Sequence, residues 1–520
     1  MFREGFRLAG LLTFTASCLG SVSHAQTAVM TSQYGNARTG ANLTEKILNP
    51  SNVNARQFGR LHAVSVDGDV YAQPLYLPQV NVAGKGKRNL LFVVTEHDSV
   101  YAFDADGDFK DPLWKDSFAN TKAGIDTVAG DAAGCALIAP EIGITATPVI
   151  DPVSDTIYVL ARTKEKNRPV QRLHALDLIT GQEKFKGPVE IQAKGFDPLL
   201  ENPRAALLLA ANVLYLGWAS NCDYGAYHGW LMAYGSRSLK QIAAFNTSPG
   251  GSQGGIWAAD AGFAADATGT VFAATGNGNF TAAAGGADYG DSLLKVELWW
   301  HRLLVRDYFT PFNQAQLAKT DSDLGSGGPV LLPDQPGPHP HLVVIGGKGN
   351  VLYVLDRDKL GRYRSDGNSN AVQEICVESE MMGAPASWQG HLFVQASYDS
   401  LKDYALKDGR FSEDPVAHTA KEISSATTPS VSSDEARNGI VWTIESRGFG
   451  RGGERRTAVL HAYDATNVAD ELFNSDQQGS RDAAGPSLRF TIPTVADGHV
   501  YIGASKEFDV YGLLDSVAKK

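Results

Sequence analysis

One phrase returns along this chain: a Pro or Gly leading into a short apolar strand, a turn, and a second strand that ends Ala-x-Asp or close to it. It is clearest at Pro74, with Leu91-Phe92-Val93-Val94 and Val100-Tyr101-Ala102-Phe103-Asp104, and at Pro148, with Ile157-Tyr158-Val159-Leu160 and Leu173-His174-Ala175-Leu176-Asp177. Further copies stand at Pro203, Trp257, Pro329, Pro385, Pro429 and Pro493. A unit repeated at one period cannot bury its apolar face alone and must stack on its neighbours. The strands are short, β-branched and aromatic, broken by Gly, Asp and Asn, with almost no run at helical period. Units of this kind are four-stranded blades. The chain is predicted to be all-β, an eight-bladed β-propeller, with seven blades as the alternative because the fourth copy is irregular through Glu297-Leu298-Trp299-Trp300-His301.

From Pro74 to Pro493 is 419 residues over seven intervals. That is about 60 residues per repeat against roughly 40–50 for a minimal blade, so loops are inserted, and loops carry function. The last copy ends near Leu514 without an outer strand, whereas Phe58-Gly59-Arg60-Leu61-His62-Ala63-Val64 is a strand without a blade. Pairing the two closes the ring and removes exposed edges that would template aggregation. Residues 58–514 are therefore read as one propeller domain, 26–57, rich in Asn, Thr and Gly, as a surface arm, and 515–520 as a tail.

Arg3 and Arg7, the apolar stretch Leu8 to Leu19 and Ser23-His24-Ala25 read as a secretory signal removed after residue 25, which predicts a periplasmic or secreted protein. No other stretch reaches the ~18 apolar residues of a membrane span. A net charge of −11 disfavours nucleic acid and anionic lipid as partners. Outside the signal, Cys135, Cys222 and Cys376 allow at most one internal disulfide. No Cys-x-x-Cys-His is present, which excludes a c-type haem attached to this chain; electrons from a redox reaction would leave through a separate acceptor.

The stretch Ala175-Leu176-Asp177-Leu178-Ile179-Thr180-Gly181, followed by Phe185 where Trp is usual, resembles the tryptophan-docking repeat of the quinoproteins, alcohol dehydrogenases that use pyrroloquinoline quinone. The resemblance is more pointed from about Val213 to Asp356. Gly254-Gly255-Ile256-Trp257 followed by Thr275-Gly276-Asn277 is similar to the segment whose Trp forms the floor under the quinone and whose Asn coordinates a calcium ion. Asp323, in Thr320-Asp321-Ser322-Asp323, falls where that family has its catalytic base, and Lys348, in Gly347-Lys348-Gly349-Asn350, where a cation contacts the quinone oxygens. Asp223 matches the family's calcium carboxylate once a one-residue gap is allowed. The resemblance thus implies Trp257, Asn277 and Lys348 as cofactor-binding, Asp323 as catalytic, and Asp223, Asn277 and Asp323 as metal ligands.

The set is chemically coherent, since a hard calcium ion takes oxygen ligands and a quinone plane takes an aromatic face. There are departures. No adjacent cysteine pair is present, and Tyr224, Tyr227 and His228 are bulky residues near the pocket position. Each signal also has a structural reading: Trp257 as a core aromatic, Asn277 as a turn residue, Asp323 as a loop cap, Lys348 as a hairpin tip, Asp223 as a loop carboxylate. Two functions follow. One is an exported oxidoreductase acting on an alcohol or sugar-like hydroxyl with pyrroloquinoline quinone and calcium. The other is a catalytically silent propeller that binds a protein, glycan or envelope component. Convergence of the Asp223, Asn277 and Asp323 oxygens, with Trp257 on an open cavity, is expected only of the first.

Overall fold

The computed structural model describes residues 27–425, 427–448 and 455–514; the predicted signal and C-terminal tail lie outside the described residues. Eight sheets of four to six strands follow one another along the chain, and the architecture is an eight-bladed β-propeller. Among the described residues, helix is confined to Gln314–Lys319 and a few single turns of 3₁₀-helix. The irregular fourth copy is a complete blade, with Leu293–Trp299 and Arg302–Thr310 paired as a hairpin whose tip holds the exposed Trp299 and Trp300.

Proline marks where a blade begins because it has no N–H to give to a ladder and is tolerated only at a strand's edge or start. Pro74 immediately precedes the innermost strand Leu75–Val82, Pro329 precedes Val330–Leu331, Pro385 precedes Ala386–Trp388, and Pro493 precedes Thr494–Ala496. Trp114, on the outer strand of the first blade, docks against the second: its indole N–H donates to the Leu178 carbonyl at 2.9 Å, and its ring lies 2.7 Å from where a Cβ on Gly181 would stand. Gly181 has φ +72, so both conformation and space demand glycine there. Phe185, in the tryptophan position of the second repeat, is half-buried against the core between blades two and three.

The strand Phe58–Ser65 pairs antiparallel with Glu507–Leu513, from Phe58 opposite Leu513 to Ser65 opposite Glu507, and supplies the outermost strand of the eighth sheet. Phe58 is fully buried, with its ring 5.5 Å from Trp442 and 5.0 Å from Phe473 of the seventh blade. Burying a side chain of this size is worth about 2–3 kcal/mol.

The segment predicted as a surface arm is a correction. Residues 46–57 run over the outside, but 29–45 lie on the ring axis. Val29 exchanges backbone hydrogen bonds with Tyr76 of the first blade, and the Met30, Ala37, Thr39 and Gly40 carbonyls accept from Ile150, Leu331, Ser387 and Val431 of the second, fifth, sixth and seventh. Asn36 accepts from Ala265 of the fourth blade and donates to Leu209 O of the third, and Tyr34 OH donates to Pro493 O beside the eighth. A segment bonded to the innermost strands of all eight blades can only sit where they meet. Arg38 anchors it, fully buried, donating to Phe263 O, Thr31 Oγ1, Ser32 O and Leu207 O at 2.7–3.1 Å. The physical reason is that short inner strands turn unpaired main-chain groups toward the axis, and a polar segment satisfies them as well as water does.

Candidate functional site

In an antiparallel four-stranded blade, the loop entering the inner strand and the hairpin joining the second and third strands emerge at the same end. All five residues singled out in the sequence stand in such connections, so they share one face. Trp257 lies between Gln241–Asn246 and Ala264–Ala265, and Asn277 follows Val271–Ala274. Asp323 lies between the helix Gln314–Lys319 and Val330–Leu331, Lys348 between Leu342–Gly346 and Val351–Asp356, and Asp223 between Val213–Ser220 and Trp230–Gly235.

Four of the five meet. Asp323, 1% exposed, accepts the Asn277 backbone N–H on Oδ1 at 2.8 Å, and its Oδ2 is 2.6 Å from the Lys348 ammonium. The Lys348 backbone N–H also donates to the Asp323 carbonyl at 2.9 Å. Gly276 is what lets Trp257 and Asp323 approach: a Cβ there would stand 2.1 Å from Asp323 Oδ1 and 2.8 Å from the indole Nε1. Asp321, which sequence reasoning passed over, completes the cluster, accepting from Asn277 Nδ2 at 2.7 Å and from Lys348 Nζ at 3.1 Å. Burial works against the Lys348 ammonium, and the charge and hydrogen bonds of Asp323 and Asp321 overcome it, holding the pKa above the usual lysine range.

Asp223 stands at one remove. Its carboxylate accepts a short hydrogen bond from Tyr227 OH, while Tyr227 is fully buried and meets the Trp257 ring edge-on at 6.3 Å. Burial raises the Asp223 carboxyl, the Tyr227 bond pulls it down, and the charges of Asp323 and Asp321 push it up again, so Asp223 senses the cluster without touching it. Asp291, also unanticipated, lies beneath: Oδ1 accepts from Leu324 N at 3.2 Å and Oδ2 from Gln314 Nε2 at 3.2 Å, and burial followed by the Asp323 charge pushes its carboxyl up to about 8. The aspartate after Gly290 was visible in the sequence, but only three-dimensional proximity makes it part of the site.

Two buried polar atoms in this cluster have no hydrogen-bond partner, Asn277 Oδ1 and Trp257 Nε1. Orphaned buried acceptors are rare in folded proteins and call for an explanation such as an ion or water. Among the described residues no three His, Cys, Asp or Glu side chains group in a metal-holding arrangement; the oxygens gathered here include an amide, and Asp223 is held off by Tyr227.

The disulfide joins Cys135 to Cys222 across 87 residues and straps the loop between blades one and two onto the turn carrying Asp223. Asn221 Nδ2 reinforces the strap, donating to Cys135 O at 2.9 Å, and Cys376 is a free, exposed thiol. A cavity of about 690 Å³ opens on the same face over blades five to eight, with Lys348 at one end and Arg489 and Phe490 at the other. Among the described residues no helix is long and apolar enough to cross a membrane.

The solved structure of a quinohemoprotein alcohol dehydrogenase from Pseudomonas putida HK5 superimposes with a TM-score of 0.62 at 14% identity, over 95% of this chain and 81% of that one. The fold is that of the quinoprotein dehydrogenases. A europium-containing methanol dehydrogenase superimposes at 0.57 with 13% identity, over 92% of this chain and 89% of that one. BamB from Moraxella catarrhalis gives 0.49 at 10% identity, over 88% and 99%. No protein-family profile and no curated protein matches the chain.

Proposed function

We propose that this quinoprotein-fold chain is an exported oxidoreductase that binds pyrroloquinoline quinone and a calcium ion on its loop face and oxidises an alcohol or sugar-like hydroxyl. The observation that carries the reading is the convergence of Trp257, Asn277, Asp323 and Lys348, from two adjoining blades and the loops that lead into them, around a buried amide oxygen that has no partner. Part of the donor set fits the group: the Asn277 amide and Asp323 carboxylate would offer hard oxygens to calcium and Trp257 an aromatic ring to a quinone, whereas Asp223, held by Tyr227, does not converge and Trp257 is not among the residues lining the 690 Å³ cavity.

A bound quinone supplies a two-electron acceptor, which the side chains alone do not. Asp323 takes the proton from the substrate hydroxyl, and Lys348, 2.6 Å from that carboxylate, stabilises developing negative charge beside it. Asn277, through its backbone N–H, fixes the Asp323 oxygen that faces Trp257. Asp223 joins a calcium site only by giving up Tyr227. Electrons taken up by a quinone held there would leave through a separate acceptor, since the sequence carries no Cys-x-x-Cys-His motif.

Calorimetric titration with pyrroloquinoline quinone, with and without calcium, tests the proposal. Calcium-dependent binding that Trp257→Ala removes supports it. One observation favours the second reading, a silent binding propeller: Tyr227 already occupies both the Asp223 carboxylate and an edge of Trp257. Absence of quinone binding in the parent protein and in Tyr227→Ala decides for that reading.

A further inference from the structure

The fourth blade carries a hairpin that neither the ring nor the cluster around Asp323 uses. Its third and fourth strands, Leu293–Trp299 and Arg302–Thr310, close with Trp299 opposite Arg302, which leaves Trp300 and His301 as a two-residue turn. Gly and Asn are the usual first residues of such turns, because the backbone there has positive φ. Trp300 has φ +55, and Trp299 and Trp300 are 57% and 80% exposed. A bulky side chain in the left-handed region works against stability, and strain of this kind collects at functional sites. The hairpin leaves its blade at the end opposite the Asp323 loops, so it belongs to a second surface.

Beside this tip the blade is polar. Leu294, Val296 and Leu298 turn into the core shared with the third blade, so the alternation of a strand puts Lys295, Glu297 and Trp299 on the face toward the fifth. There an open groove of about 600 Å³ runs between the outer strands of the fourth blade and the connection 358–362 leaving the fifth. Four cations and three carboxylates line it, and most are paired. Arg306 Nε is 2.7 Å from Glu297 Oε2, Arg362 Nε is 3.8 Å from Asp307 Oδ1, Asp358 Oδ2 is 2.8 Å from His341 Nδ1, and Lys295 Nζ donates to Arg357 O at 2.8 Å. Lys359 alone of the seven forms no ion pair or side-chain hydrogen bond among the described residues. Neither tryptophan lines the groove. Arg306 links the two features, since it lines the groove and its guanidinium lies over the Trp299 ring, 5.8 Å from the centroid.

Exposed apolar surface rimmed by polar groups marks an interaction site, and the groove lies within the ~300–1,000 Å³ of small-molecule sites. An anionic partner gains little from cations already paired with carboxylates, and a purely apolar one would strip water from those pairs. A neutral ligand that combines C–H faces with hydroxyls suits both halves: the faces stack on indole, and the hydroxyls meet planar carboxylates and guanidiniums. Pyranose rings have that chemistry. We infer that the tip and groove of the fourth blade bind a neutral oligosaccharide, with pyranose faces on Trp299 and Trp300 and hydroxyls held by Glu297, Arg306 and Asp307. This site does not rest on the oxidoreductase reading.

The intact protein is titrated calorimetrically with cellotetraose, chitotetraose, maltotetraose and the anionic tetragalacturonate. The expected result is binding of at least one neutral tetrasaccharide, weakened about fivefold or more by each of Trp299→Ala, Trp300→Gly and Glu297→Gln. Trp300→Phe, which keeps a flat ring, falls between the parent and Trp300→Gly. Trp300→Gly also separates recognition from folding: glycine accepts the left-handed backbone, so its melting temperature stays at or above the parent's while binding falls. A melting temperature clearly below the parent's makes Trp300 a structural residue and overturns the inference. So does failure of all three neutral sugars to bind, binding of tetragalacturonate alone, or binding indifferent to both tryptophans, which puts the saccharide elsewhere. If the parent binds no sugar but sediments with phosphatidylethanolamine–phosphatidylglycerol vesicles through these two residues, the tip is a membrane anchor and the inference falls.

Discussion

Two ends of one axis bury charge in opposite ways. At the end filled by residues 29–45, Arg38 donates to three backbone carbonyls and a hydroxyl, each between 2.7 and 3.1 Å. At the loop face, Asn277 Oδ1, Trp257 Nε1, Tyr71 OH and Arg204 Nη2 are buried and unpartnered, and Asp291 and Glu96 are carboxyls that burial pushes up to about 8 and about 7. Burial alone therefore does not separate the Arg38 charge from the groups of the loop face; satisfaction does, although Gln33 Oε1 of the axial segment is itself buried without a partner. A charge whose donors are all spoken for holds the fold, whereas groups left unsatisfied in one place are what a ligand-binding surface costs the protein in stability.

The largest expected effect falls on Arg38. Arg38→Met removes four buried hydrogen bonds, leaving the Phe263 carbonyl without its donor and Leu207 O with Thr31 Oγ1 alone, and is expected to cost about 3–5 kcal/mol in urea unfolding, with quinone affinity unchanged in the folded fraction. An unchanged midpoint would erase the contrast between the two ends. Asp323→Asn comes next. It leaves the Lys348 ammonium with only the exposed Asp321 as its anion, and a loss of about 1–3 kcal/mol is expected together with loss of calcium-dependent quinone binding.

Glu96 sharpens the comparison through pH. Its Oε2 accepts from Gly143 N at 2.7 Å and Thr145 Oγ1 at 3.1 Å, while Oε1 has no partner. With the folded value raised to about 7, by burial first, the folded state holds its proton more tightly than the unfolded state, so stability is lost as pH rises from about 4.5 to 7. Glu96→Gln removes that loss. Melting temperatures should show the variant gaining on the parent at pH 8 relative to pH 5, by an amount equivalent to about 1–2 kcal/mol. The smallest stability effect belongs to Asn277→Ala, which gives up the bond to Asp321 but also removes an orphaned oxygen. A change under about 1 kcal/mol is expected, beside a fall of about tenfold or more in calcium-dependent quinone affinity. A large stability loss with binding intact would make Asn277 an ordinary turn residue.

The blades were legible because their signal is local: a proline at a strand start and a strand ending Ala-x-Asp are written in consecutive residues, as at Pro74 and Asp104. The axial position of residues 29–45 was not. Asn, Thr and Gly bonded to inner-strand carbonyls have the same composition as Asn, Thr and Gly bonded to water. Within the site, Trp257, Asn277, Asp323 and Lys348 could be named from motifs, and the ring brings these four together. Asp321 and Asp291 carried no motif. Tyr227 was visible as bulk near Asp223, but which group its hydroxyl would take depended on the hairpin's path.

The axial segment also constrains time. Asn42 donates to the Val495 carbonyl across 453 positions, and Phe58 pairs with Leu513. The first described residues to be synthesised thus form their last bonds only when nearly the whole chain is available. Contacts of such sequence separation make for slow completion. A chain that stays unfinished until its end arrives is also one that can be threaded through a membrane before it locks.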